Sequence, residues 1–323
     1  MIDQPQTTTA WQGKLNLVYD NCQNSTQLIY NHHQAPLKVQ RPFYPEGEQV
    51  CHSVILHTAG GVVGGDRLSS YFHLKPNTQA LITTAAASKI YRSNGLQARQ
   101  TLDIQIDPGA CLELLPQETI LFNGADYRQD LRVELAPGAC FLGWEITRFG
   151  RSARGEKFLQ GKWRSHTEIW RQGIPLWIDR QFLPGNSEIF HSPSGLFGQP
   201  IVGSLIWLGH PVSTEIVEQA RSLFTPHSRL VNGAETTPST QYSHFDFAQC
   251  TALPTPHSRL VSEVEPTLPT QHLVGVTQLE HGLLCRYRGA STSEVRNWFT
   301  AVWHILRTSF LSRSICIPRV WQI

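Results

Sequence analysis

Three stretches of the 323-residue chain share one design: residues 71–84 read YFHLKPNTQALITT, residues 102–115 read LDIQIDPGACLELL, and residues 131–144 read LRVELAPGACFLGW. In each, apolar and polar residues alternate with the period of a strand that buries one face. A proline then interrupts, since it has no N–H to give a ladder, and a short turn leads into a second strand. The prolines are Pro76, Pro108 and Pro137, 32 and 29 residues apart. A unit of this length reads as one rung of a layered or helically wound β architecture, each rung burying its apolar face against the next. The same text suits an antiparallel sandwich with three similar hairpins, and the repeat alone does not separate the two.

Working outward, Leu15, Leu17 and Tyr19 continue the alternation toward the amino terminus. The composition agrees with a β-rich chain: 16% charged residues with 24 Gly and 20 Pro is too poor in helix formers for a bundle. Two helices are expected. Ser213–Phe224 carries Ile216, Val217, Ala220 and Leu223 at helical spacing behind a Ser213 cap, and Ser291–Leu311 carries Val295, Trp298, Phe299, Val302, Ile305 and Leu306, with Ser293 as its cap. Between them the heptad TPHSRLV occurs twice, at 225–231 and 255–261, amid Thr, Ser, Pro and Gln. Exact duplication without apolar periodicity cannot offset the entropy of ordering a backbone, so residues 225–272 read as a disordered insertion in a single domain spanning 1–323.

Several chemistries are excluded by spacing. The glycine-rich segment HTAGGVVGGDRL, residues 57–68, has Asp66-Arg67 where a phosphate loop needs Lys followed by Ser or Thr. Seven dispersed Cys include no CxxC pair, which reads as reduced, buried thiols and a cytoplasmic setting. Cys51 and His52 are strand neighbours on opposite faces, and Cys51 and His57 are too far apart on one strand to share an ion. No serine elbow is present. The acids Glu145, Glu156, Glu168 and Asp179 lie in or near strands, where a solvated face or a pairing with Arg148 or Arg180 is the ordinary expectation. Residues 148–180 hold eight basic side chains, but without a nucleic-acid module and with a net charge of +2 they read as a solvated or protein-docking surface. No apolar run is long enough for a membrane helix.

An ordered string of segments adds to this. VQRPFYP (39–45), the glycine segment at 57–68, Ser88-Lys89-Ile90-Tyr91-Arg92-Ser93, Leu115-Pro116-Gln117-Glu118, Trp144-Glu145, Phe149-Gly150-Arg151 and the closing Pro318-Arg319-Val320-Trp321 resemble the urease accessory protein UreD family, called UreH in some organisms. The resemblance spans about 10–224 and 273–323, and residues 225–272 match nothing in its pattern. It implies a mainly β, helically wound fold with about two helices, which favours the stacked rungs. It also implies a non-enzymatic chaperone that works with UreF and the GTPase UreG on apo-urease (UreABC), with UreE as indirect nickel donor. No tightly bound cofactor is implied; nickel is transient cargo, and the positions matching its path are Asp66, Ser88, Glu145 and Asp179. Isolated carboxylates and hydroxyls suit such a conduit, because a Cys/His cage would trap the ion.

Overall fold

The computed structural model describes residues 10–224 and 273–321. The expected insertion at 225–272 lies outside them. The strands wind as a β-solenoid of about four turns. The first turn holds β1 (Gln12–Cys22), β2 (Ser25–Gln34), β3 (Leu37–Val39) and β4 (Val50–His57). The second is β5 (Arg67–Leu74), β6 (Gln79–Thr84) and β7 (Ser88–Ile90). The third is β8 (Ala98–Ile106), β9 (Cys111–Leu114) and β10 (Thr119–Leu121), and the fourth is β11 (Asp126–Leu135) and β12 (Cys140–Phe149).

The two strands of each repeat do not pair with one another. β5, β8 and β11 run parallel in one sheet, while β6, β9 and β12 run parallel in another. This removes the hairpin alternative, and the proline turn is the corner between sheets. Pro76, Pro108 and Pro137 stand second in their turns and are followed by Asn77, Gly109 and Gly138, all with positive φ of 60°, 73° and 76°. With the first carbonyl accepting from the fourth amide at 3.1–3.3 Å, each is a type II turn. Successive corners bond to each other through the Ala110 carbonyl and Cys140 N–H, and likewise the Thr78 carbonyl and Cys111 N–H.

In-register stacking builds the interior. Leu17, Phe72, Ile104, Val133 and Ile169 form one ladder, and Tyr19, Leu74, Ile106 and Leu135 another, all buried. A third side is narrower, with Val62, Ile90 and Leu121 stacked through a bridge and short parallel strands. After the fourth turn, β13 (Lys162–Arg171) and β14 (Ile174–Pro184) extend the first sheet. β15 (Ile201–Leu208), β17 (Gly282–Gly289) and β16 (Leu273–Leu279) extend the second, antiparallel.

Among the described residues three α-helices occur, one more than expected: α1 (Ser187–His191), α2 (Thr214–Ser222) and α3 (Thr292–Phe310). At five residues, α1 is too short to show a period; its signal is Asn186, whose side chain accepts from the Glu188 and Ile189 amides. Ser213 caps α2 as expected. On α3 the cap is Ser291 rather than Ser293, because Ser291 has the extended backbone of a cap and accepts from the Glu294 amide. The apolar stripe of α3 lies on the outer face of the second sheet, and with α2 makes a second core around Trp144, Trp207, Trp298 and Trp303.

Candidate functional site

The interior is not apolar throughout. Along β8, β11 and β13 the inward positions run apolar, then polar, then apolar again except at Thr167. Ala98, Tyr127 and Trp163 form one rung; Gln100, Gln129 and Ser165 form the next, in register; Leu102, Leu131 and Thr167 follow. Facing them on β12, the inward side reads Phe141, Gly143, Glu145, Thr147, Phe149. Gly143 has no side chain, and the Phe141 ring folds over it, 2.6 Å from where a Cβ would stand, while Glu145 brings a carboxylate. A polar rung opposite a glycine and an acid cannot pack like the ladders on either side, so the sheets part there.

The gap consists of two adjoining cavities of about 120 Å³ and about 50 Å³. Leu114, Leu131, Trp144, Glu145 and Thr167 stand in the walls of both. Ser88 lines the larger cavity and Asp179 the smaller, so Glu145 lies at the junction between them. Three of the four positions named from the sequence thus line these two adjoining cavities. Asp66 is not among them: fully buried, it spends its carboxylate on the Trp11 amide at 2.8 Å and the Val63 amide at 2.9 Å, closing the glycine segment against β1. The glycines do turn Asp66 inward, but onto backbone. Gly61 serves a close approach, since a Cβ there would meet Lys89 O at 2.7 Å.

Neither Glu145 nor Asp179 takes the arginine partner expected for it. Glu145 accepts from Ser165 Oγ at 3.0 Å and Thr147 Oγ1 at 3.2 Å, and Gln129 donates to Ser165 in turn. Burial pushes the Glu145 carboxyl above its usual value; the two hydroxyls oppose this, the Asp179 charge adds to it and Arg286 partly offsets it. Asp179 pairs with Arg286 at 2.7 Å, and Arg286 also donates to Ser204. Arg180 instead reaches Glu168 at 3.6 Å. Asp130, in the wall of the larger cavity, moves the other way: burial raises it, but Arg128 and Arg99 outweigh burial and hold it low. The basic residues of 148–180 do not act as one stripe. Arg151 pairs with Glu156, Arg164 stacks on Phe182, and Arg171 lies in a groove with β16 and its turn.

The sequence reading missed Gln100, Gln129, Ser165 and Thr167. Their signal was present as polar residues at inward positions of otherwise apolar alternations, but it becomes readable only when the three strands are known to lie in register. Arg286 carried no local signal. The segments that carried the resemblance also converge here: Trp144 Nε1 donates to Pro116 O at 2.9 Å, and the Trp321 ring packs on Trp144 and donates to Thr83.

Fold and lining together define a β-solenoid scaffold with a pair of adjoining cavities between its sheets, at which a half-buried carboxylate, Glu145, stands without an ion-pair partner. The model of the UreD urease accessory protein family matches residues 12–322. The urease accessory protein UreD of a Nostoc species is 68% identical over 322 residues, covering the whole of both chains. That of Acaryochloris marina is 49% identical over all of this chain and 99% of its own. That of Methylobacillus flagellatus is 34% identical over 99% and 100%. The chain belongs to the UreD urease accessory protein family, and membership implies a role in urease maturation. Among the described residues no helix is long and apolar enough to cross a membrane.

Proposed function

We propose that this chain is a non-catalytic maturation chaperone that, with UreF and UreG, promotes GTP-dependent insertion of nickel into the apo-urease (UreABC) active site, UreE supplying the metal indirectly. Nickel passes as cargo along the passage from Ser88 to Glu145 to Asp179. The single observation that carries this reading is Glu145 at the junction of two internal cavities, held by hydroxyls rather than by a cation. A water needs about 10–15 Å³ of such space, so the larger cavity admits a partly hydrated ion. Carboxylate, hydroxyl and amide oxygens hold Ni²⁺ weakly enough to release it. The charge of Glu145 in a poorly solvated place supplies the attraction that draws a cation in.

The folded unit is read as one domain interrupted at 225–272, acting in the cytoplasm; the six described cysteines are free thiols, which suits a reducing compartment. The test coexpresses urease and its accessory proteins with wild type, Glu145→Gln or Asp179→Asn. Nickel per urease is expected to fall in both variants while pull-downs still recover the complex. Unchanged nickel content in an intact complex would reduce the protein to a docking scaffold.

A further inference from the structure

Cys51 and His52 do point to opposite faces of β4, Cys51 into the solenoid core and His52 outward beneath α3. The residues gathered there come from the loop just before β4 and from the far end of the chain. Glu46, in the loop before β4, places Oε1 2.6 Å from His52 Nε2. Cys316, in the stretch that follows α3, completes a group whose donor atoms all lie within 4.8 Å of one another. Among the described residues no other group of three His, Cys, Asp or Glu side chains is this close.

The surroundings are organised as a ligand set requires. Arg307 grips both oxygens of Glu46, Oε2 at 2.7 Å and Oε1, the one that faces His52, at 3.0 Å, which fixes the orientation of the carboxylate. Phe43 packs at 5.4 Å from the His52 ring. The Glu46 carboxylate can only accept, so the His52 ring proton sits on Nε2; Nδ1 is buried without a hydrogen-bond partner and is the nitrogen left to take that proton when Nε2 turns to an ion. The charges also balance. Glu46 and Glu113 against Arg307 leave one negative charge; a divalent ion that displaces the Cys316 thiol proton brings the cluster to neutrality. The Nε2–Oε1 contact is a hydrogen-bond distance, and two ligands of one zinc ion stand about 3.3 Å or more apart, so the ion replaces the proton between them as the pair opens by less than about 1 Å. Cys316 is only partly buried whereas His52 is 1% exposed, so the ion enters past the thiol.

We propose that Glu46, His52 and Cys316 form a site for a borderline divalent cation of the zinc type, separate from the Glu145 passage, which ties the chain after α3 to the first turn of the solenoid. One thiolate, one imidazole and one carboxylate leave a fourth position for water, giving a reversible site rather than a closed structural one. Binding forms S–metal, N–metal and O–metal bonds, moves the His52 ring proton from Nε2 to Nδ1 so that the imidazole stays neutral, and releases the Cys316 proton to solvent.

The test titrates the full-length protein with Co²⁺ as a spectroscopic probe. A thiolate-to-cobalt charge-transfer band in the near ultraviolet is expected, bleached by Zn²⁺, lost in Cys316→Ser and retained in Glu145→Gln. Peptide-mapped alkylation gives a second readout: Zn²⁺ should slow modification of Cys316 in wild type and not in His52→Gln. A band that persists in Cys316→Ser, or Cys316 alkylated equally fast with and without Zn²⁺, overturns the site. A band lost in Glu145→Gln overturns its separation from the passage.

Discussion

Arg307 offers the sharpest test of how α3 is held to the solenoid. Its side chain has no exposed surface, and it donates from Nε and Nη2 to the two oxygens of Glu113 at 2.8 and 2.9 Å. It also binds both oxygens of Glu46 and the Ser314 carbonyl. Arg307→Met keeps an unbranched side chain of helical preference and deletes the charge. Glu113, 2% exposed, then retains the Trp303 indole at 2.6 Å as its remaining side-chain donor. Removing one member of a buried pair costs about 3–5 kcal/mol, chiefly because the other charge stays behind. Glu46 is 10% exposed and keeps His52, so most of the loss comes from Glu113, and the lower end, about 3 kcal/mol, is expected. The assay is urea denaturation followed by two probes, comparing midpoints at constant slope. Adding Glu113→Gln to Arg307→Met removes the stranded charge and should recover a substantial part of the loss, giving a coupling well outside the additivity of independent sites. A cost below about 1 kcal/mol, the level of a surface ion pair, or strictly additive single variants, would refute the argument that this cluster is dry and mutually dependent.

Glu145 leads to a pH prediction of definite sign. Because burial raises its folded-state pKa, the folded chain binds this proton more tightly than the unfolded chain; its contribution is most favourable at acid pH and declines as pH rises through the folded value. Glu145→Gln should therefore raise the thermal midpoint at mildly alkaline pH, with the gain vanishing toward the ordinary carboxylate range, and a pH-independent difference would count against it. Asp130, held low by Arg128 and Arg99, acts in the opposite sense: its stabilisation is present above the usual carboxylate value and is lost as pH falls through the lowered one, so Asp130→Asn should narrow the gap to wild type in acid. At the corners, Gly138→Ala meets open space and bears only the positive-φ cost, about 1–2 kcal/mol. Gly109→Ala bears that and a Cβ 2.2 Å from Asn77 Oδ1, so urea midpoints should rank it the less stable of the two. Asp66→Ala strands the Trp11 and Val63 amides and should cost about 1–3 kcal/mol, with nickel delivery unaffected wherever the complex still assembles.

Much was settled by sequence alone. Alternation marked the strands, a proline marked the turn between the two strands of each repeat, and helical spacing marked Val295 to Leu306 as an apolar stripe, because these are short-range preferences of the backbone and of single faces. The resemblance of scattered motifs named the family for the same reason, since each motif is local. What remained undecided were matters of partnership between distant residues. A strand's alternation says which side is buried but not which strand lies beside it, so rung and hairpin read alike until β5, β8 and β11 are seen in one sheet. Asp66 and Glu145 stood together as positions that the resemblance implied for the nickel path; only the tertiary structure satisfied one with backbone amides and left the other facing a cavity. Arg307 carried no local signal within its helix, and Cys316 was one of seven dispersed thiols. Burial and solvation depend on everything packed around a group, and those neighbours, Glu46, His52 and Glu113, come from the far end of the chain.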